Sequence, residues 1–442
     1  MFFDTDVIVV GGGPAGSMAA YILASQGIQV TLLEKTLFPR YKVCGGGLTH
    51  KILKEVPFDL APVIETTIHA FRFSHHYSNV FTRHSVDPLM YCTMRSDLDA
   101  FLLQKATDAG AKVRMGEQVI SFVQDGSGVT VSTKNKSFRT RLLIGAEGAS
   151  GIVSREAGLH SAVEMGLAWE VEIMAESEDL KRFSETVFLD WGTLPGGYAW
   201  VFPKKDHFSI GVGGPASLSK TMLPYYERFI SSISHTPSSD IRPLTSDLHT
   251  SGLSVGLASS GIRFLETRSK ASWPIPVRTR KSLFHRGLVL VTGDTAGLGD
   301  PLTGEGIYYA IRSGKLAAET CSDYLSGKIK SMDIYSGKIN DELMTELLEA
   351  NRIKHVFNAV PMKIHSFVGG SDRAWRAFGK ILRGERWYVD VRNGFGKWKH
   401  FWYMACLISG FLEKRKERWF LKKNTVKTNK KSGSTNSAQP LK

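Results

Sequence analysis

Three glycines and one acid have the types and spacing to grip a dinucleotide. Gly11-x-Gly13-x-x-Gly16 lies in "DTDVIVVGGGPAGSMAAYILASQGIQVTLLEK", after the apolar run 7–10 and before a small-residue helix reaching about residue 25. Gly11 permits the tight turn, Gly13 lets backbone approach a pyrophosphate, and Gly16 lets helix pack on strand. Pro14 and Ala15 open the helix, whose unpaired N–H groups face the phosphates. Glu34 ends the strand 29–33, followed by Lys35, and is placed to accept from ribose hydroxyls. A glycine-rich turn of another α/β fold would lack this strand–turn–helix–strand context. Spacing alone leaves NAD and FAD both open.

The elements that must position these groups belong to a large chain. Its 442 residues are enough for two or three domains, and 42 % hydrophobic with 22 % charged residues is ordinary for a folded globular protein. The chain enters a strand pattern from Met1, without the basic and apolar segments of a secretory signal. Cys44, Cys92, Cys321 and Cys406 are too dispersed for a disulfide framework or a metal pair, so no metal is expected and the setting reads as reducing and cytoplasmic. The net charge is +14, and residues 413–442 hold ten Lys or Arg against two Glu. That tail is either solubilising or drawn to an anionic membrane surface, placing the protein peripherally on the cytoplasmic face. No nucleic-acid module is recognisable, so no nucleic-acid partner is expected.

Three further stretches distinguish FAD from NAD. "MRSDLDAFLLQKATDAGAKV" places Arg95 before an amphipathic helix and a strand at 112–114. "RLLIGAEGASGIVSREAG" is a buried strand and glycine-rich turn, with Ser150 and Arg155 following. "GLVLVTGDTAGLGDPLTGEGIYYAIRSGKLAAE" is another buried strand, then Gly293-Asp294, a loop and a long helix. A carboxylate matches sugar-like hydroxyls, and glycines let a helix N-terminus approach a negatively polarised ring. In this order the segments resemble the flavoprotein family of aromatic hydroxylases and geranylgeranyl reductases, which implies FAD. The resemblance implies that Asp294 holds the ribityl chain and that Gly304, Gly306 and Ile307 line the flavin edge. It puts Arg95 on the adenosine side and the Val119 backbone at the adenine. One departure is Gly145-Ala146-Glu147-Gly148, where the family has Gly-x-Asp-Gly. Glu147 is read either as a loop acid near the cofactor or as a plain solvated acid.

"YAWVFPKKDHFSIGVGG", 198–214, poses a separate question, since Gly211-x-Gly213-x-x-Ala216 also fits a phosphate loop. Pro215 falls where a helix should start, "GPASLSKT" reads as loop, and no acid-bearing strand follows. The stretch reads as two strands instead, with Tyr198, Trp200 and Phe202 on one face by alternation. Such a face is either core or the wall of an apolar slot. Tyr-x-Trp-x-Phe-Pro followed by Gly-x-Gly resembles the geranylgeranyl reductase signature, over about residues 4–350. In that family this sheet forms the prenyl site.

The resemblance also places "FPRYKVCGGGLT" beside the flavin, with Cys44, Gly45 and Gly47 lining it. Cys44 then shapes the reaction chamber or helps deliver a proton, or it is a small buried thiol. The implied activity is reduction of isolated double bonds of a prenyl chain by hydride transfer from reduced flavin N5. Cys44 and Tyr198 are the candidate catalytic groups, and Tyr198, Trp200 and Phe202 the substrate wall. The substrate would be a prenylated lipid or a prenyl diphosphate, and electrons would come from NAD(P)H or reduced ferredoxin. A flavin monooxygenase acting on an aromatic or isoprenoid substrate, and a non-catalytic flavin electron carrier, compete with this reading.

The expected fold is α/β. An FAD-binding Rossmann-like domain (1–70, 95–165, 286–355) is interleaved with a β-sheet substrate domain (71–94, 166–285) of aromatic-hydroxylase type. A helical basic and aromatic cap (356–423) and a disordered basic tail (424–442) follow. Trp375, Phe378 and Leu382 share one helical face, and "FWYMACLISGFL", 401–412, is too short to span a membrane. Both segments either pack on the body or rest on a membrane surface. Headgroup selection is expected in loops such as 244–266.

Overall fold

The computed structural model describes residues 2–234, 261–394, 396 and 399–432, of which 399–401 and 423–432 by backbone alone. Residues 244–260 of the expected headgroup loop and residues 433–442 of the expected tail lie outside the described residues.

Runs of Val, Ile and Leu build a parallel sheet buried on both faces, as such sequences must. Its parallel strands follow the order Lys112–Met115, Val30–Glu34, Thr5–Val10, Ser137–Gly145 and Val289–Val291. His285–Arg286 closes one edge, and the hairpin Val119–Asp125 with Gly128–Thr133 pairs onto Ser137–Gly145. Helix Pro14–Ser25 packs between helices Arg95–Asp108 and Ile307–Leu325.

A second sheet has seven strands. They run Phe264–Arg278, Val163–Ala175, His207–Pro215, Tyr198–Pro203, Thr186–Trp191, Ala70–His75 and Ser78–His84. Thr186–Trp191 and Ala70–His75 pair in parallel, and the other neighbours are antiparallel. A three-stranded sheet of Gly47–Thr49, Met90–Cys92 and Thr66–Ile68 joins the two. The chain crosses between the two large sheets repeatedly. The architecture is thus the interleaved FAD-binding fold with a helical C-terminal region.

That region contains helices Thr345–Ala359, Pro361–Gly370, Asp372–Leu382, Tyr388–Asn393 and Lys399–Ser432. Helix Asp372–Leu382 turns Trp375, Phe378 and Leu382 toward the body. Trp375 Nε1 donates to His84 O at 2.7 Å, and both aromatic rings meet Phe71. Its apolar face is therefore packed, and the membrane-resting alternative fails for this helix. The last helix continues to Ser432, past residue 424 where a disordered tail was expected to begin.

Candidate functional site

The glycines of the first loop divide their work. Gly11 has φ +103°, and a Cβ there would clash with the Ala146 backbone. A Cβ on Gly16 would run into Gly11 O. Both are needed for the turn to close. At Gly13 the nearest atom to such a Cβ is Arg40 Nη2, 3.8 Å away, so this face is open. Gly13 also N-caps helix Pro14–Ser25 with no side chain satisfying the helix N–H groups. Glu34 holds the turn. Its Oε2 accepts from Gly12 N at 2.7 Å, and its Oε1 accepts from Thr36 N at 2.9 Å and Thr36 Oγ1 at 2.7 Å. A carboxylate keeps further lone pairs for a ribose hydroxyl.

Beside this turn a cleft is lined by Glu34, Lys35, Val119, Glu147 and Ser150. Val119 and Lys35, both expected at the cofactor, line this cleft. Glu147 is no solvated acid. Burial pushes its carboxyl up to about 7, although Val153 N donates to Oε1 at 2.6 Å, and Oε2 is buried without a protein partner. An orphaned acceptor in a cleft is a place for a ligand hydroxyl or amine.

Two guanidinium groups share one buried carboxylate next to the phosphate loop. Arg95 Nε and Nη2 reach Asp99 at 2.9 and 2.8 Å, and Arg40 reaches it at 3.1 Å. The trio keeps one net positive charge where a pyrophosphate would lie. Arg95, placed by resemblance on the adenosine side, has Asp99, Cys44 and Lys42 as its charged and polar neighbours. Lys42 Nζ sits 3.8 Å from the Trp273 ring centroid. Burial, then the Arg95 charge, brings its ammonium down to about 8, against the opposing pull of Asp294. Asp294 Oδ1 lies 3.5 Å from a Cβ built on Gly306, the residue that caps helix Ile307–Leu325 without a side-chain bond. The glycine cradle, the arginine pair, the cleft and the uncapped helix end fit FAD from adenine to flavin.

The second Gly-x-Gly is part of a strand. Gly211 pairs with Trp200, and Gly213 with Tyr198. A Cβ on Gly211 would lie 2.7 Å from Trp200 Cε2, and one on Gly213 would lie 3.3 Å from Cζ3. These glycines make room for an indole, not for a phosphate. A 3-10 turn at Ala216–Leu218 and a helix from Ser219 follow, so the stretch read as loop is partly helical.

The aromatic face meets the Gly45–Gly47 loop. A Cβ on Gly45 would stand 2.5 Å from Phe202 Cδ2 and 3.3 Å from Trp200 Nε1, while one on Gly47 would stand 3.4 Å from Phe202 Cε1. Trp200 Nε1 is buried without a partner. Cys44 N donates to Glu170 Oε1 at 3.3 Å, and Gly46 N donates to Cys44 Sγ at 3.4 Å. Lys204 Nζ clamps the loop from below through Gly45 O and Thr93 O, both at 2.7 Å. Burial lifts Glu170 to about 7 against the Lys204 charge, and its Oε2 has no partner. Tyr198 Oη donates to Thr303 O and is held above its usual range by burial. A Cβ on Gly304 would lie 3.2 Å from that oxygen. The phenol thus supports the Thr303–Gly304 turn rather than pointing a free proton into the chamber.

That turn is fixed again from behind. Buried Asp300 accepts from Leu302 N at 2.8 Å, Thr303 N at 3.1 Å and Tyr388 Oη at 3.0 Å. Glu305 pairs with Lys51 at 2.7 Å and accepts from Thr49 Oγ1. Sequence reasoning named neither Glu170, Lys204 nor Asp300 as a site residue. The available signal was a charged residue set between apolar neighbours in "LAWEVEI" and directly after "YAWVFP".

Residues 4–336 match the family of the FAD binding domain. The chain is 28 % identical over 335 residues to a geranylgeranyl diphosphate reductase of Rhodobacter capsulatus, covering 73 % of this chain and 76 % of that one. It is 27 % identical over 385 residues to a digeranylgeranylglycerophospholipid reductase of Methanocella arvoryzae, covering 83 % and 92 %. A geranylgeranyl bacteriochlorophyll reductase-like structure from Thermoplasma acidophilum superposes with a TM-score of 0.67 at 22 % identity, over 86 % of this chain and 97 % of that one. Fold and cradle define an FAD-binding oxidoreductase fold related to the aromatic hydroxylases. Within that class the chain belongs to the geranylgeranyl reductase family of FAD-dependent oxidoreductases.

Proposed function

We propose that the protein reduces isolated carbon–carbon double bonds of a geranylgeranyl or similar prenyl chain. The observation that carries this reading is the Tyr198, Trp200 and Phe202 face set against the Gly45–Gly47 loop beside Cys44. An isolated alkene offers no polar handle, so its alignment must come from shape and from exclusion of water. Trp200 and Phe202 supply the apolar surface, and Gly45 and Gly47 leave their rings room to pack closely against the loop. FAD, bound and reduced, supplies the hydride equivalent. The second hydrogen must arrive as a proton, and Cys44 Sγ is the group placed to hold it. Glu170, protonated below about 7 and bonded to Cys44 N, positions that loop and holds a second proton nearby. Tyr198 keeps the Thr303–Gly304 turn in place through Thr303 O.

Electrons reach the cofactor from NAD(P)H or reduced ferredoxin in transient contact. The substrate class is a prenyl diphosphate or a prenylated lipid, by likeness to the named relatives. The test is turnover with dithionite and geranylgeranyl diphosphate under nitrogen, read by mass spectrometry. Products heavier by two hydrogens per reduced bond support the reading. Unchanged substrate across diphosphate and glycerolipid forms, with FAD bound, would overturn it. Products carrying added oxygen when air is admitted would favour the monooxygenase.

A further inference from the structure

The last helix, Lys399–Ser432, presents two faces of opposite character. Trp402, Cys406, Ser409 and Glu413 follow one another at steps of four, three and four, and all are buried. On the opposite side Met404, Leu407, Ile408, Phe411 and Leu412 are 41–69 % exposed. At about 100° per residue the same outward stripe continues through Arg415, Arg418 and Lys422, all exposed, with Lys414 and exposed Trp419 at its margins. Five large apolar side chains within nine positions exceed the scattered exposure normal for a surface.

The helix is strapped in this orientation. Glu413 is held by His355 Nδ1 and by Asn358 Nδ2 at 2.6 Å, and it lies 3.2 Å from a Cβ built on Gly196. Glu417 accepts from Ser217 Oγ. Lys416 Nζ donates to the carbonyls of Asn358 and Ala359 at 3.2 Å, beside exposed Val360 and Met362. Phe420 and Leu421 pack on the core of the seven-stranded sheet. The straps attach next to the loop that leads into Tyr198, so the outward stripe is fixed near the entrance to the aromatic strand.

We propose that this stripe is a docking surface for an anionic lipid bilayer. Apolar side chains that enter the acyl boundary, with basic ones left at the headgroups, are the composition of an interfacial helix. Charge selects the occupant. Both acids of the described 402–422 segment, Glu413 and Glu417, are engaged with the body, which leaves a basic outer face. A second copy would offer this face the same basic residues and no acid to receive them, whereas anionic headgroups do receive them. The proposal stands on the helix alone and does not require the reductase reading.

The experiment is co-sedimentation of the full-length holoprotein with phosphatidylcholine vesicles, with and without phosphatidylglycerol, at low salt. Wild type should pellet with the anionic vesicles and be released by salt. The triple change Arg415→Gln, Arg418→Gln and Lys422→Gln should weaken anionic binding by about a hundredfold, each residue contributing about fivefold. Leu407→Ser with Ile408→Ser and Phe411→Ser should weaken it by more than about tenfold, with the flavin spectrum and far-ultraviolet circular dichroism unchanged. Wild type that stays in the supernatant with anionic vesicles overturns the proposal. A dimer seen by light scattering that the serine variant dissolves, with no vesicle binding by wild type, assigns the stripe to a second copy and also overturns it.

Discussion

Gly211→Ala tests the reading of the second Gly-x-Gly as space for an indole. The new methyl would stand 2.7 Å from Trp200 Cε2 and 2.6 Å from Trp169 O. Ordinary carbon contacts are about 3.5–4.0 Å, so the indole must retreat by about 1 Å. On the chamber side that retreat carries the indole toward the Gly45 backbone, where a Cβ would stand 3.3 Å from Trp200 Nε1. Overpacking of this kind costs about 1–3 kcal/mol. A displacement of about 1 Å in a group that aligns substrate lowers turnover by up to about a hundredfold. The variant should therefore lose about 1–3 kcal/mol in guanidinium unfolding and 10- to 100-fold, as an order of magnitude, in kcat/KM on a prenyl substrate. Its bound FAD should stay at one per chain, because the phosphate loop lies in the other sheet. Trp200→Phe combined with Gly211→Ala should recover stability relative to the single change, since the smaller ring vacates the contact. Loss of FAD with stability unchanged would refute the argument and return Gly211 to a nucleotide site.

Gly16→Ala should yield protein without flavin, because its methyl collides with Gly11 O in the cradle, and absorbance of the purified protein reads this directly. In the flavin-free protein, burial raises Glu147 and Glu170 from 4.5 to about 7, so the native state keeps protons that the unfolded chain has released. The stability these two acids contribute is full below pH 4.5 and is lost as pH rises through about 7, by about 3 kcal/mol per acid. Glu147→Gln should flatten that decline in denaturant titrations, and an unchanged slope would contradict the assignment. Cys44→Ser should lower single-turnover reduction by more than about tenfold with FAD retained, consistent with a lost acid catalyst. Glu170→Gln should remove a fall in kcat/KM that wild type shows above pH of about 7. Full turnover by Cys44→Ser would exclude the thiol as proton donor.

The phosphate loop was legible because its glycines, its helix and Glu34 lie within one strand–turn–helix–strand unit, from Thr5 to Glu34. The second Gly-x-Gly was legible by exclusion, since Pro215 and the alternating aromatics are local facts. Cys44's partners were not. Glu170 lies 126 residues away in sequence, and Lys204 reaches Gly45 across 159, so pairing of the seven-stranded sheet is what brings them together. Asp300 and Tyr388 meet across 88 residues because helix Tyr388–Asn393 of the C-terminal region returns to the loop before helix Ile307–Leu325. The two readings of Glu147 stayed open in the sequence because the fold over residues 147–153, not its residue type, buries it. Helical period identified the apolar face of Asp372–Leu382, and the run 401–412 was read only by its length, but neither says what covers a face. The first is covered by Phe71 and its neighbours; the stripe on the second is covered by nothing among the described residues.

The most direct measurement is anaerobic single turnover followed by flavin absorbance. The protein is reduced with one equivalent of dithionite and mixed with geranylgeranyl diphosphate, and in parallel with its fully saturated analogue. The account predicts that oxidised flavin returns with the unsaturated chain and not with the saturated one, in step with appearance of the product two hydrogens heavier. Flavin that stays reduced with both, and reoxidises only when oxygen is admitted, would contradict it.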